Sequence, residues 1–466
     1  MALKPFNLLT STAHDIQQLF DRSELTAESL VKQVLDQVNK HNRHGLNLGA
    51  LIAAAPRQQL LERAQFLDQE RAAGKSRSPL HGIPFIVKDA IATDPQLGMG
   101  TTAGSWALVG SRPPGNAHTV QKLLDAGGIL IGKAGLTVRS AVSVSAGLGI
   151  VSLGVETDGS IVSPASRAAL YAMKLTIGTI PMDGVIPVSK SLDSVGAMAR
   201  SPADLAMVIE MLQETGPNHD ERLSQLMTQK WNGLRIGFVD EKIWKLPESL
   251  CKNDDEALVQ MYHSVMKTLS NAGVHVKYPT SCVGRLASLK MCCLAILTRF
   301  EAYEFQQVFN RYLETLESSQ VRNLQELVDW NRQHADRELP QEYPSQSCLE
   351  SALQCNISAA ENAETLACLR KLAGPDGIDQ ILNLFKLDAI ASLADSPLSS
   401  IASAAGYPIA TMPLGILDMN GRPFGISMTA SKNQEKKLFQ IMSAWETLGA
   451  RKPPPALMEE TNQAQP

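Results

Sequence analysis

Gly154-Val155-Glu156-Thr157-Asp158-Gly159-Ser160-Ile161-Val162-Ser163-Pro164-Ala165 follows an apolar run, Gly149 to Leu153, and sets one serine behind an acidic, glycine-containing turn. Pro164 rules out an ordinary helix interior there, since its nitrogen carries no proton and its ring crowds the preceding turn. A tight loop at a strand end leaves backbone N–H groups unpaired, and such groups bind a developing oxyanion. Thr, Asp, Gly and Ser are also all turn formers, so the stretch alone reads more readily as a plain turn. The surrounding chain decides between the two.

Upstream, two helices open the chain, the second capped by Thr26 and carrying Leu30, Val31, Val34, Leu35 and Val38 at helical spacing. Gly49 to Ala53 reads as a short strand, and Pro56 suits the first turn of a helix with Leu60, Leu61, Ala64 and Leu67. Ile83 to Val87 reads as a strand ending at Lys88-Asp89, Thr119 to Ala126 as a helix stopped by Gly127-Gly128, and Ile129 to Ile131 as a strand. Downstream, a helix-like segment is expected from Pro164 to about Tyr171, strand and turn from Lys174 to Val188, and a helix from Pro202 to Leu212. Leu234 to Val239 and Val274 to Val276 read as strands flanking an amphipathic helix around Asp254 to Ser270, and about 285 to 375 reads as mostly helical. Leu387 to Leu393, Pro408 to Pro413 and Phe424 to Met428 read as strands, and a last helix runs from Asn433 to Leu448. The alternation predicts an α/β fold with a largely buried mixed or parallel sheet.

The bulk numbers narrow the function. A chain of 466 residues, 44% hydrophobic and 19% charged, has ample material for a core. A net charge of −4 without a long basic run argues against nucleic acid as a partner. No stretch of 18 apolar residues occurs and the start lacks a signal-peptide apolar segment, so no membrane association is expected. Seven cysteines, all in the C-terminal half, suit free thiols in a reducing, cytoplasmic setting. Neither Cys-x-x-Cys nor His-Glu-x-x-His is present, so no metal is expected, and no cofactor.

Gly127-Gly-Ile-Leu-Ile-Gly-Lys133-Ala134 nearly matches a phosphate-binding loop. Ala134 supplies no hydroxyl for Mg²⁺, however, and the strand lies inside the motif instead of before it. Lys88 follows Phe85, Ile86 and Val87; a lysine drawn into such apolar surroundings loses solvation, and its neutral amine can serve as a base. A serine nucleophile needs a base, and a serine–lysine pair is one solution.

His81-Gly-Ile-Pro-Phe-Ile-Val-Lys88-Asp89, Thr101-Thr-Ala-Gly-Ser105, Ile131-Gly-Lys133 and Glu156-Thr-Asp-Gly-Ser-Ile161 stand in the order found in amidase signature enzymes. Pro187 to Arg200, with Ser191, Asp193, Gly196 and Met198, continues the match, as do Ala404-Ala-Gly-Tyr-Pro-Ile409 and Arg422-Pro-Phe-Gly425. From about residue 15 to about 455 the chain resembles this family; its C-terminal part, including His334 to Leu339, looks most like fungal amidases similar to the A subunit of glutamyl-tRNA amidotransferase. The resemblance implies a single domain over 1–455, a twisted mixed β-sheet covered by helices on both faces, with a polar tail at 456–466. It implies amide hydrolysis by a Ser–Ser–Lys triad, with Ser160 as nucleophile, Lys88 as base, and the backbone N–H groups of Thr157, Asp158, Gly159 and Ser160 as oxyanion hole. The implied partner is a small-molecule amide substrate, and a homodimer is within expectation.

The family holds its middle serine in a Gly-Ser-Ser-Gly-rich loop before the nucleophile strand, and here about two dozen residues are missing near 134–140. Counting back from Ser160 without gaps puts Leu136 at that position, with Thr137 beside it and Val138 and Arg139 in place of flanking glycines. Lys174-Leu175 departs as well, since the family usually has proline after that lysine. Three readings stand: Thr137 or Ser140 relays the proton in a rearranged site, the protein is an impaired or inactive relative that acts as a binding protein, or the sequence lacks a piece through faulty gene prediction. An amidotransferase A-type subunit fed by a partner is a further alternative.

Overall fold

Short runs of buried apolar residues become the strands of one sheet. In the computed structural model, which describes residues 6–136, 138–213, 222–244, 256–280, 302–449 and 451–458, eleven strands join it. They are β1 (Leu51–Ala54), β2 (Pro84–Lys88), β3 (Ile129–Ala134), β4 (Val151–Glu156), β5 (Tyr171–Lys174) and β6 (Ser194–Ala199). The remainder are β7 (Arg235–Phe238), β8 (His275–Lys277), β9 (Ala389–Leu393), β10 (Ile409–Ile416) and β11 (Pro423–Thr429). Their order is β1-β3-β2-β4-β6-β5-β10-β11-β9-β7-β8. β2 runs parallel to β3 and β4, and β7 parallel to β8 and β9, while the other pairs are antiparallel. The sheet is therefore mixed, as the alternation of elements predicts.

Side chains alternate across a strand, so neighbouring residues report the two faces. Met173 and Ala197 join the main core, packed with helices Ala27–His41, Pro202–Leu212 and Glu435–Trp445. Ala172 and Met198 turn the other way, into a second core with Val144, Ile161 and Ala165. Helices thus cover both faces. Thr26 does cap the helix Ala27–His41, and Leu30, Val31, Val34, Leu35 and Val38 are all buried in it. The helix expected over Pro202 to Leu212 has those bounds. No helix among the described residues is long and apolar enough to cross a membrane.

Several expectations are corrected. The segment expected to be helical from Pro164 to Tyr171 is a five-residue helix, Val162–Ser166, that already contains Pro164, and Tyr171 begins β5. Proline is tolerated there because the first four N–H groups of a helix have no partner within it. β6 and the helix Leu398–Ala405 were not anticipated from the sequence pattern. At the C-terminal end, residues 455–458 are helical and Leu457 is buried in the main core, so chain packing continues past 455.

Lys133 of the near phosphate-loop motif is an interior strut. It lies within β3, fully buried, with its ammonium 3.7 Å from Asp89 Oδ1 and donating to Thr101 Oγ1 at 2.9 Å and to the Ile91 carbonyl. Burial pulls its pKa down to about 8 against the pull of Asp89. Asp89 Oδ2 in turn takes the Thr102 hydroxyl at 2.6 Å and the Thr102 and Gly104 N–H groups at 3.2 Å, which ties the loop after β2 to the sheet. Lys133→Met should cost about 3–5 kcal/mol, because it leaves Asp89 buried without its counter-charge. Guanidinium unfolding of the variant measures this, and a midpoint equal to the parent protein's would refute the strut.

Candidate active site

β2 and β4 are parallel neighbours, with Val87 opposite Leu153, so Lys88 at the end of β2 comes level with the end of β4. Its ammonium donates to the Val155 carbonyl at 2.9 Å. Lys88 is partly buried, and burial lowers its pKa while the Asp193 and Glu156 carboxylates oppose that shift.

Beyond β4 the chain turns sharply because Glu156 bends it back. The Glu156 carboxylate, fully buried, accepts the N–H groups of Ile161 at 2.6 Å and Val162 at 2.9 Å through Oε2. A strand-end side chain thereby caps the helix Val162–Ser166, and residues 157–160 bulge out between the two ends. Gly159 sits in the left-handed region at φ 73°, where a Cβ would lie 3.1 Å from Ser163 Oγ and 3.3 Å from Ser399 Oγ. Among the described residues, no hydrogen bond takes the backbone N–H of Thr157, Asp158, Gly159 or Ser160. Ser160 is exposed at the end of this row of free donors.

Two further contacts pin the loop, and a buried ammonium lies in its field. Ser400 Oγ donates to Asp158 Oδ2 at 2.7 Å, from the helix Leu398–Ala405. Burial raises the Asp158 pKa, against hydrogen bonds from Ser400 and Ser399. Thr157 Oγ1 donates to Asp193 Oδ1 at 2.6 Å. Lys174 of β5 lies fully buried within electrostatic reach of Glu156 and Asp158, with its ammonium donating to the Tyr407 carbonyl at 3.0 Å; burial lowers its pKa to about 8.

The expected site residues are brought together unequally. Lys88 and the 157–160 loop share one end of the β2–β4 pair, but among the described residues no hydrogen bond joins Lys88 to Ser160. Thr137, the candidate relay, lies outside the described residues. Ser140 is buried in the helix Arg139–Ser145; its carbonyl accepts the Ser152 hydroxyl at 3.2 Å and, among the described residues, its own hydroxyl has no hydrogen-bond partner. Asp193, Lys174 and Ser400 had no role in the sequence reading. For Asp193 a signal existed, since it falls in the Pro187 to Arg200 stretch that carries the family resemblance.

The Amidase family profile matches residues 30–138 and 140–439 of this chain. The two pieces part at Arg139, the first residue of the helix that follows the short connection from β3. A probable amidase of Arabidopsis thaliana is 30% identical over 499 residues, covering 96% of this chain and 92% of that protein. That alignment is longer than the 466-residue chain itself, so it opens gaps in it. The A subunit of glutamyl-tRNA(Gln) amidotransferase from Chloroflexus aggregans is 32% identical over 259 residues, covering 47% of this chain and 51% of that protein. Among solved structures, the native peptide amidase of Stenotrophomonas maltophilia matches with a TM-score of 0.85 and 30% identity, over 97% of this chain and 99% of that one.

Proposed function

This chain belongs to the amidase family, and on that premise we propose that it hydrolyses a carboxamide C–N bond through an acyl-enzyme on Ser160, with Lys88 as the base. The Ser160 hydroxyl oxygen attacks the amide carbonyl, and its proton passes by a relay to the neutral Lys88 amine. The carbonyl oxygen, now negative, is held by the N–H groups of Thr157, Asp158, Gly159 and Ser160. The C–N bond breaks as the nitrogen takes the proton back and leaves as ammonia or an amine. Water then attacks the ester, giving up its proton to the same base, and the carboxylic acid departs as Ser160 is reprotonated.

The observation that carries this reading is the exposed Ser160 at the end of four free N–H groups, with a desolvated lysine at the same sheet end. Thr137 or Ser140 is the candidate for the relay. A peptide amide is a fitting first substrate, given the likeness to a peptide amidase.

A fluorophosphonate probe should form one covalent adduct, mapped to Ser160 by peptide mass spectrometry. Ser160→Ala should form none, and Lys88→Ala should react at least ~10²-fold more slowly, the usual contribution of a positioned base. Folded protein that stays unlabelled would remove Ser160 as nucleophile. A second reading, a binding protein with little turnover, is favoured by the absence of any described hydrogen bond between Lys88 and Ser160. It requires ligand affinity that Ser160→Ala leaves unchanged. The amidotransferase-subunit reading rests on likeness over half the chain and calls for a second subunit to copurify.

A further inference from the structure

The 188–193 turn is held more firmly than a substrate-facing loop needs. Asp193 is 3% exposed, and both of its oxygens are used. Oδ2 accepts the Val188 N–H at 2.7 Å and the Ser189 N–H at 2.9 Å, closing the turn on itself, while Oδ1 accepts the Thr157 hydroxyl at 2.6 Å. Behind the turn stands Glu304, 2% exposed, which accepts the Ser191 hydroxyl at 2.8 Å, the Ser191 N–H at 3.0 Å and the Ser189 hydroxyl. Arg370 closes the back by donating to the Ser191 carbonyl. A continuous chain of hydrogen bonds therefore runs from Glu304 through residues 189–193 to Thr157, the first donor of the 157–160 loop.

We propose that Asp193 is a positioning residue for the reaction, fixing Thr157 for oxyanion binding with one carboxylate oxygen and supplying the negative charge that Lys88 faces. The kinetic part of this inference rests on the reading of Ser160 and Lys88 given above. Two acids face Lys88, Asp193 and Glu156. Glu156 spends Oε2 on the Ile161 and Val162 N–H groups and faces Lys174 as well. Asp89, next in the chain after Lys88, is committed to Lys133 and the Thr102 loop. Asp193 is the larger of the two charges that Lys88 faces, and it bonds the nucleophile loop itself through the Thr157 hydroxyl. A nearby negative charge favours the ammonium form of lysine, so Asp193 holds the Lys88 pKa above the value burial alone would give.

Asp193→Asn separates charge from geometry. The amide oxygen can keep the Val188 and Ser189 N–H groups while the amide nitrogen donates to Thr157 Oγ1, so the turn survives and the charge goes. Without that charge, Lys88 loses its proton at lower pH. The acid limb of the pH–rate profile for fluorophosphonate labelling should then move down by about one pH unit. Competitive acetylation of Lys88, followed by mass spectrometry across pH, should report the same shift without requiring turnover. Glu304→Ala, which removes the buttress and keeps the charge, should lower the labelling rate without moving the limb. An apparent Lys88 pKa unchanged in Asp193→Asn would overturn the inference. Absence of labelling with a shifted Lys88 titration would instead count against the Ser160 reading alone.

Discussion

Inserting a Gly-Ser-Ser-Gly-bearing segment of about two dozen residues between Ala134 and Arg139 is expected to raise amide turnover by about 10³-fold, the scale lost when one member of a cooperative catalytic unit is removed. β3 ends at Ala134, whose carbonyl accepts the Asp89 N–H at 2.8 Å, and the next helix begins at Arg139. Only Gly135 to Val138 join them, and four residues span about 14 Å when fully extended. The connection is too short to carry the loop that the resemblance places before the nucleophile strand. Leu136 and Val138 within it are exposed and apolar, and neither carries a proton that could move. On the proposed reading, with Lys88 as base and residues 157–160 as oxyanion donors, a serine hydroxyl placed between them by the insert would carry the proton. Ammonia release from a peptide amide gives the measurement. The same insert with its serines changed to alanine should give no gain, and equal rates from the two inserts would show that the relay is not what limits the reaction.

The sequence made most of the sheet legible because its strands are short apolar runs bounded by glycine or proline. β6 escaped notice for a physical reason. Ser194-Val-Gly-Ala-Met-Ala199 lies between β4 and β5, and a Cβ at Gly196 would sit 2.1 Å from the Met173 carbonyl oxygen. Close strand approach selects small residues there, which are poor strand formers by propensity. The helix Leu398–Ala405 is buried at all eight positions, and its polar residues are small serines turned inward, so no charged outer face marks its helical period. Of the candidate site, Lys88, Ser160 and the 157–160 loop were readable because each is local: a strand end or a turn. Glu304 and Arg370 were not, since each meets the 189–191 turn from more than 100 residues away. Pairings over that distance leave no trace in a single sequence.

Glu156→Ala is expected to lower stability by about 2–6 kcal/mol, about 1–3 kcal/mol for each of the two N–H groups left without an acceptor, and to abolish labelling of Ser160. Glu156 holds the Ile161 and Val162 N–H groups and is the buried carboxylate nearest in effect to Lys174. Alanine orphans both N–H groups, and the 157–160 loop loses the bond that makes it bulge. Glu156→Gln keeps an acceptor for those groups and removes only the charge, so it should cost less, about 1–3 kcal/mol, and leave the loop formed. The alanine variant should also show its origin in its pH dependence. Burial has already lowered the Lys174 pKa to about 8, below its value in the unfolded chain, and loss of Glu156 lowers it further. A lysine depressed in the folded state is protonated first in the unfolded chain, so stability falls as pH drops from the unfolded pKa to the folded one and levels off below it, which the variant reaches at lower pH than the parent. The deficit of Glu156→Ala should therefore be smallest at pH 9 and larger at pH 7. Urea unfolding at the two pH values provides the check: a deficit that is the same at both would mean that Lys174 does not depend on Glu156 for its charge.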